Sequence, residues 1–269
     1  MDATRAGVGS DPLAHINVSR LRADLRAVQA LGTTSGAMQA CTVSADIRQA
    51  YGTALRARDE AAAYLHGNRD WTTEDLAEVI CGHRADERRV RLIAEWSTTP
   101  PHLYDAGHEL LHRQQLANEL RDLLSEARAT AVHHLREAEL VLPTDPLTRV
   151  HKATDMVRFS SYHLDVVAAN RNLYAANLVV HHEWDLDEIA ELADAEPDAI
   201  SSAFDAARTN PPSDADSRSV RELAAIAAAI AARRRHWESA RQEAVAECLA
   251  AGVAADLIAA HSGREAALT

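Results

Sequence analysis

The string His-Glu-Leu-Leu-His, residues 108–112, is the sharpest catalytic pattern in this chain of 269 residues. On a helix, His108 and His112 lie one turn apart and can share a zinc ion, with Glu109 as general base. A third ligand has to come from elsewhere. Glu137 and Glu139 are candidates, but the apolar residues from Leu116 to Leu140 read as one continuous helix, which carries them about 40 Å away. No glycine turn and third histidine follow the string. Arg113, directly after the second histidine, is foreign to the apolar surroundings of a zinc-hydrolase helix. With 14 histidines in the chain, HExxH also arises readily by chance. A zinc hydrolase is therefore the remote alternative, and no metal ligand is assigned. The adjacent pairs His133-His134 and His181-His182 point about 100° apart on a helix and do not suit a shared metal. There is no glycine-rich phosphate loop and no GxSxG. Nothing asks for an enzyme or a cofactor.

A second kind of chemistry is carried by basic residues. His83, Arg84, Arg88, Arg89 and Arg91 follow a short amphipathic run. Arg84, Arg88 and Arg91 recur at helical spacing, on a face opposite Val90 and Ile93. Arginine on one helix face can reach base edges and phosphates in a DNA groove. The competing reading is a solvated face on which the arginines pair with Asp86 and Glu87. A further cluster, Arg233, Arg234 and Arg235, ends the apolar run Leu223–Ala232. Three consecutive arginines spread over about 200° of a helix and cannot all face one groove. They read as the boundary of a buried alanine-rich stretch.

The elements that would position these residues occur twice. "WTTEDLAEVI" begins at Trp71 and "WDLDEIAELA" at Trp184. Trp71 aligns with Trp184, Asp75 with Glu188, Leu76 with Ile189, Ala77 with Ala190, and Val79 with Leu192. In the first copy Thr72 and Asp75 approximate a capping box. In the second, Asp185 caps and Glu188 closes the box. Each copy is preceded by a helix and followed by a Pro-Pro pair (Pro100-Pro101, Pro211-Pro212) and a long helix. This pattern points to internal duplication.

The second copy, "DEIAELADAEPDAISSAFDAA", resembles the helix-turn-helix of bacterial or phage DNA-binding regulators through Ile189-Ala190, Ala193 and Ser201-Ser202. The first is similar through Leu76-Ala77 and Ile80. The C-terminal "AGV…DLIAAHSG" resembles a third, truncated unit. The resemblance covers about a third of the chain and names a motif class. It implies a reading surface on the helix after the turn. By charge, only the first copy suits that role. The second offers Asp194, Glu196, Asp198 and Asp205, which phosphates would repel.

Composition fits this frame. Hydrophobic residues are 47%, charged residues 25% and aromatics 4%, with only 10 Gly and 8 Pro. Alanine dominates and β-branched runs are scarce, so the chain is expected to be all-α. The net charge of −12 disfavours indiscriminate coating of nucleic acid but allows a local basic face. Cys41, Cys81 and Cys248 are odd in number and widely spaced, which suits free thiols in a reducing cytoplasm. The N-terminal residues lack the pattern of a signal peptide, and no apolar run is long enough for a bilayer.

The periodicity predicts helices at about 15–31, from Ser44 to Gly67-Asn68, and at 103–141, 146–182 and 217–250. "GTTSGAMQACT" (32–42) reads as a break between the first two. Residues 1–12 are expected to be disordered. Two related halves, 13–142 and 146–269, meet at "LPTDP" (142–146). They hold units at 72–96, at 185–208 and, truncated, at 253–269. The expectation is a cytoplasmic, DNA-binding transcription regulator of a high-GC bacterium, phage or plasmid. It would be a homodimer on double-stranded DNA, away from membranes. The alternative is a helical adaptor that binds a protein through the acidic second unit.

Overall fold

The computed structural model describes residues 13–81, 106–209 and 215–263. Among these the chain is all-helical, with no strand. The helices are α1 (Val18–Gln29), α2 (Thr33–Asn68), α3 (Thr73–Cys81), α4 (Ala106–Glu137), α5 (Pro146–His182), α6 (Leu186–Ala193), α7 (Pro197–Ser201), α8 (Phe204–Thr209), α9 (Ser217–Ala250) and α10 (Ala255–His261). No helix among the described residues is long and apolar enough to cross a membrane. The expected disorder at 1–12 lies outside the described residues.

The observed bounds of α5 and α9 coincide with those the periodicity predicts, because both helices start on strong signals. Asp145 and Asp216 each accept a backbone N–H from three residues on, Thr148 and Ser219. Pro146 then occupies the first turn of α5, where a missing N–H costs nothing. The expected break at 32–42 is not there: α2 begins at Thr33 and runs through Gly36. Gly36 is no helix breaker. A Cβ at this position would lie 2.6 Å from the His134 ring, so glycine lets the imidazole close onto the helix backbone.

The chain divides into two compact units: Met1–Ala27 with Thr42–Ala127, and Val28–Cys41 with Arg128–Thr269. The division falls inside α1, α2 and α4 and not at the expected link 142–146. A continuous helix keeps its apolar period while changing the neighbours it packs on, so no sequence signal marks the crossing.

In the first unit, Leu25 of α1, Ile47, Tyr51 and Leu55 of α2, and Leu120 and Leu124 of α4 form one core. An ion pair of 2.5 Å joins Arg22 to Glu119 at its surface. A second cluster joins Ala61, Ala62 and Leu65 to Leu76, Ala77, Ile80 and Leu110. Between them lies a buried polar set. Arg58 donates to Asp59 and to Gln114 Oε1, Gln114 donates to Asn118, and Arg113 donates to the Ala57 carbonyl at 2.6 Å. Buried arginines persist only where such partners satisfy them.

In the second unit, α5 and α9 pack along each other, with α6, α7 and α8 laid against them. Tyr174, Leu178, Ile189, Ile200 and Val220 are at the centre of that core. Arg128, buried, pairs with Glu222 at 2.7 Å.

The N-cap of α5 carries a pH prediction. The Thr148 hydroxyl and then its backbone N–H bind the Asp145 carboxylate and hold its pKa below the ordinary 3.8. A carboxylate depressed on folding stabilises above its unfolded value, and that contribution is lost as pH falls through the folded value. Asp145→Ala is therefore expected to lower the melting temperature at pH 7. The gap to wild type should narrow as pH falls below about 4, as followed by circular dichroism.

Candidate functional site

The candidate site is the repeated unit, and its geometry begins at the turn before each short helix. Two residues after α2, Asp70 is in the left-handed region at φ 59, and the next residue, Trp71, donates its N–H to the Leu65 carbonyl at 3.4 Å. α5 ends with Glu183 at φ 57, and Trp184 donates to the Leu178 carbonyl at 3.2 Å. A left-handed residue reverses the chain and lets the following N–H satisfy a carbonyl the helix has left open. Both short helices then start on a cap. Thr72 and Asp75 bond reciprocally, Thr72 N–H to the Asp75 carboxylate and Asp75 N–H to the Thr72 hydroxyl. Asp185 accepts the N–H groups of both Asp187 and Glu188.

A constant separation of 113 residues, from Trp71 to Trp184, carries one copy onto the other. Buried residues coincide along it. Ala61, Ala62 and Leu65 map to Tyr174, Ala175 and Leu178. Leu76, Ala77 and Ile80 map to Ile189, Ala190 and Ala193. In the long helices that follow, Leu110, Ala117, Leu124, Ala127 and Ala131 map to Leu223, Ile230, Trp237, Ala240 and Ala244, all buried. The match therefore extends well beyond the short helices that suggested it. The match is partial: buried Leu120 and Leu123 fall on half-buried Arg233 and exposed His236. The copies also part at Arg113 and Gln114, whose counterparts are Ile226 and Ala227. All four are buried, but only the first copy has polar side chains there.

The C-terminal unit uses the same device in a shorter form. α9 ends at Gly252, φ 75, and Val253 donates to the Cys248 carbonyl at 3.0 Å. α10 follows, with Ile258 buried. Residues 264–269 of this unit lie outside the described residues.

In the second unit the helix expected after the turn is split. α7 stops at Ser201 and α8 restarts at Phe204. The Ser201 and Ser202 hydroxyls bond back to the Pro197 and Ala199 carbonyls, competing with the backbone ladder at the split. Ile200 and Ala207 are nevertheless buried in the core. The outward side is acidic: Asp185, Asp187, Glu188, Glu191, Asp194, Glu196, Asp198 and Asp205 are all exposed. Arg171 closes the turn by donating to the Asp194 carbonyl at 3.1 Å, and burial pushes its pKa down.

The predicted reading residues His83, Arg84, Arg88, Arg89 and Arg91 lie outside the described residues, as do Pro100-Pro101 and Pro211-Pro212. The other candidates are placed. His108 and His112 are exposed on α4. Glu109 is taken by Arg113, whose Nε donates to its carboxylate at 3.2 Å. No group of three or more His, Cys, Asp or Glu is placed to hold a metal among the described residues. In the second basic cluster, Arg233 donates to the Ala138 carbonyl and, at 2.9 Å, to that of Glu139. It also lies over the Trp237 ring, and burial pushes its pKa down. Arg234 pairs with Glu238. These contacts tie the loop after α4 to α9. Sequence reasoning missed Asp70 and Glu183, because neither residue type announces a left-handed turn as Gly252 does.

No family model, curated protein or solved structure matches the chain.

Two predictions come from this geometry. A non-glycine residue in the left-handed region is strained by roughly 1–2 kcal/mol, part of which glycine loses again to chain entropy. Asp70→Gly and Glu183→Gly are each expected to stabilise the protein by about 0.5–1 kcal/mol in urea denaturation. With no third ligand placed beside His108 and His112 among the described residues, zinc is expected to leave the melting temperature unchanged, in wild type and in His108→Ala/His112→Ala alike. A zinc-dependent rise confined to wild type would contradict it.

Proposed function

We propose that the protein is a DNA-binding regulatory protein that reads double-stranded DNA through the segment after α3. One observation supports this reading above the others. The first unit shares its turn, cap and buried positions with the second, but the segment that follows differs in charge. Across the 113-residue separation, His83, Arg84, Arg88, Arg89 and Arg91 are the sequence counterparts of Glu196, Pro197, Ser201, Ser202 and Phe204. Residues 83–91 carry four arginines and a histidine beside Asp86 and Glu87, whereas residues 196–204 carry Glu196 and Asp198 and no basic residue. A duplicated frame that keeps its turn, cap and first short helix, and changes the charge of the segment that follows, suits two separate tasks. The first is suited to phosphates and base edges, and the second is repelled by them. A homodimer suits this role, since paired reading units match paired half-sites. A cytoplasmic location and a bacterial, phage or plasmid source are parts of the same proposal.

A second reading is favoured by the acidic outer face of α6–α8, which fits a basic protein partner. On this reading the chain is a helical adaptor.

Gel-shift binding to fragments of the protein's own genomic neighbourhood separates the two. Wild type is expected to shift selected fragments, with affinity falling steeply between two salt concentrations. Arg84→Ala/Arg88→Ala/Arg91→Ala should abolish selective binding and flatten the salt slope by about 0.9 for each phosphate no longer neutralised. Asp194→Lys/Asp198→Lys should leave it intact. No shift at low salt would overturn the DNA reading. Loss of a captured basic partner in the Lys variant alone would establish the adaptor.

A further inference from the structure

The middle of α5 carries an apolar stripe that the fold leaves open. Phe159, Tyr162 and Val166 recur at spacings of three and four, so they share one face. They are 39%, 66% and 42% exposed. His163 lies among them, its ring 4.2 Å from that of Phe159 and 5.4 Å from that of Tyr162. Single exposed apolar residues are ordinary, but three on one helix face, with the His163 ring tilted against two of them, make a contiguous apolar patch of the kind that marks interaction surfaces. Further along the same helix, residues 174–178 are all buried. The open stripe is therefore a local feature of α5 and not a property of the whole helix.

The charges beside the stripe indicate what covers it. Arg158 and Asp165 each stand one residue before an apolar position, Phe159 and Val166, so they lie on the same flank. Asp165 is exposed and makes no ion pair among the described residues. Arg158 is exposed and donates one N–H to the Gly263 carbonyl at 3.1 Å, which holds its guanidinium in place and leaves other donors open among the described residues. Two helices packed antiparallel set like flanks against each other, whereas a parallel pair sets opposite flanks together. About a two-fold axis near Tyr162, an antiparallel copy brings Arg158 to Asp165 of the second copy, and Asp165 to its Arg158. The same axis lays Phe159 on the other copy's Val166 and Tyr162 beside its His163. One stripe thus complements itself in both shape and charge, which an isologous interface requires.

We propose that residues 158–166 of α5 form a homodimer interface, with a second copy of this chain packed antiparallel across the stripe. It gives a location to the dimer invoked for DNA reading but does not depend on that reading.

Sedimentation equilibrium of the full chain, without DNA, tests it. Wild type is expected to dimerise, and Tyr162→Lys to be monomeric with an unchanged helical circular dichroism spectrum. Arg158→Asp or Asp165→Arg alone places like charges together twice per dimer and should weaken association about tenfold. The double variant Arg158→Asp/Asp165→Arg restores both pairs and should return to within about threefold of wild type. A monomeric wild type overturns the proposal. So does a dimer indifferent to Tyr162→Lys, or a double variant weaker than either single one.

Discussion

The turn in which a left-handed residue hands its chain to a donating N–H is the constraint on which the rest depends. A helix of more than thirty residues must stop somewhere, and its last carbonyls must be satisfied when it does. Here Asp70 and Glu183 adopt nearly the same φ, and the following tryptophans donate to Leu65 and Leu178. That single geometry fixes the angle at which α3 and α6 leave their parent helices. It thereby decides that Leu76, Ala77 and Ile80, and in the other copy Ile189, Ala190 and Ala193, fall inward. Once the inward face is fixed, so is the outward one.

A shared frame lets the two copies differ widely in sequence elsewhere. Many core positions coincide over a separation of 113 residues, where backbone geometry and close packing set them. Surface positions face only water and can change sign without disturbing the frame. One difference is inside: Arg113 and Gln114 are buried polar residues where the second copy has Ile226 and Ala227. The first copy satisfies them with Glu109, the Ala57 carbonyl and Asn118. That network also removes Glu109 from the HELLH string as a free base.

Much of the fold was legible because helix signals here are strong and local. Asp145-Pro146 and Asp216 start α5 and α9, and Gly252 ends α9, each for a stated stereochemical reason. The signals failed where the reason was tertiary. Gly36 read as a break but serves the approach of His134, a residue nearly a hundred positions away. Ser201-Ser202 read as helix interior but lies where the ladder breaks between α7 and α8. The burial of Arg58 and Arg128 follows from partners at Gln114 and Glu222 that no spacing rule reveals. Of the candidate site, the frame was legible through the two tryptophans and their caps. Charge alone distinguished the copies, since outward residues carry no packing signal.

The most direct test of the division of labour between the copies is hydrogen exchange of the full chain with and without a bound genomic fragment at low salt. The account predicts slowed exchange at residues 82–96 on adding DNA, and no change at 186–209. Equal protection of both copies, or protection of 186–209 alone, would contradict it.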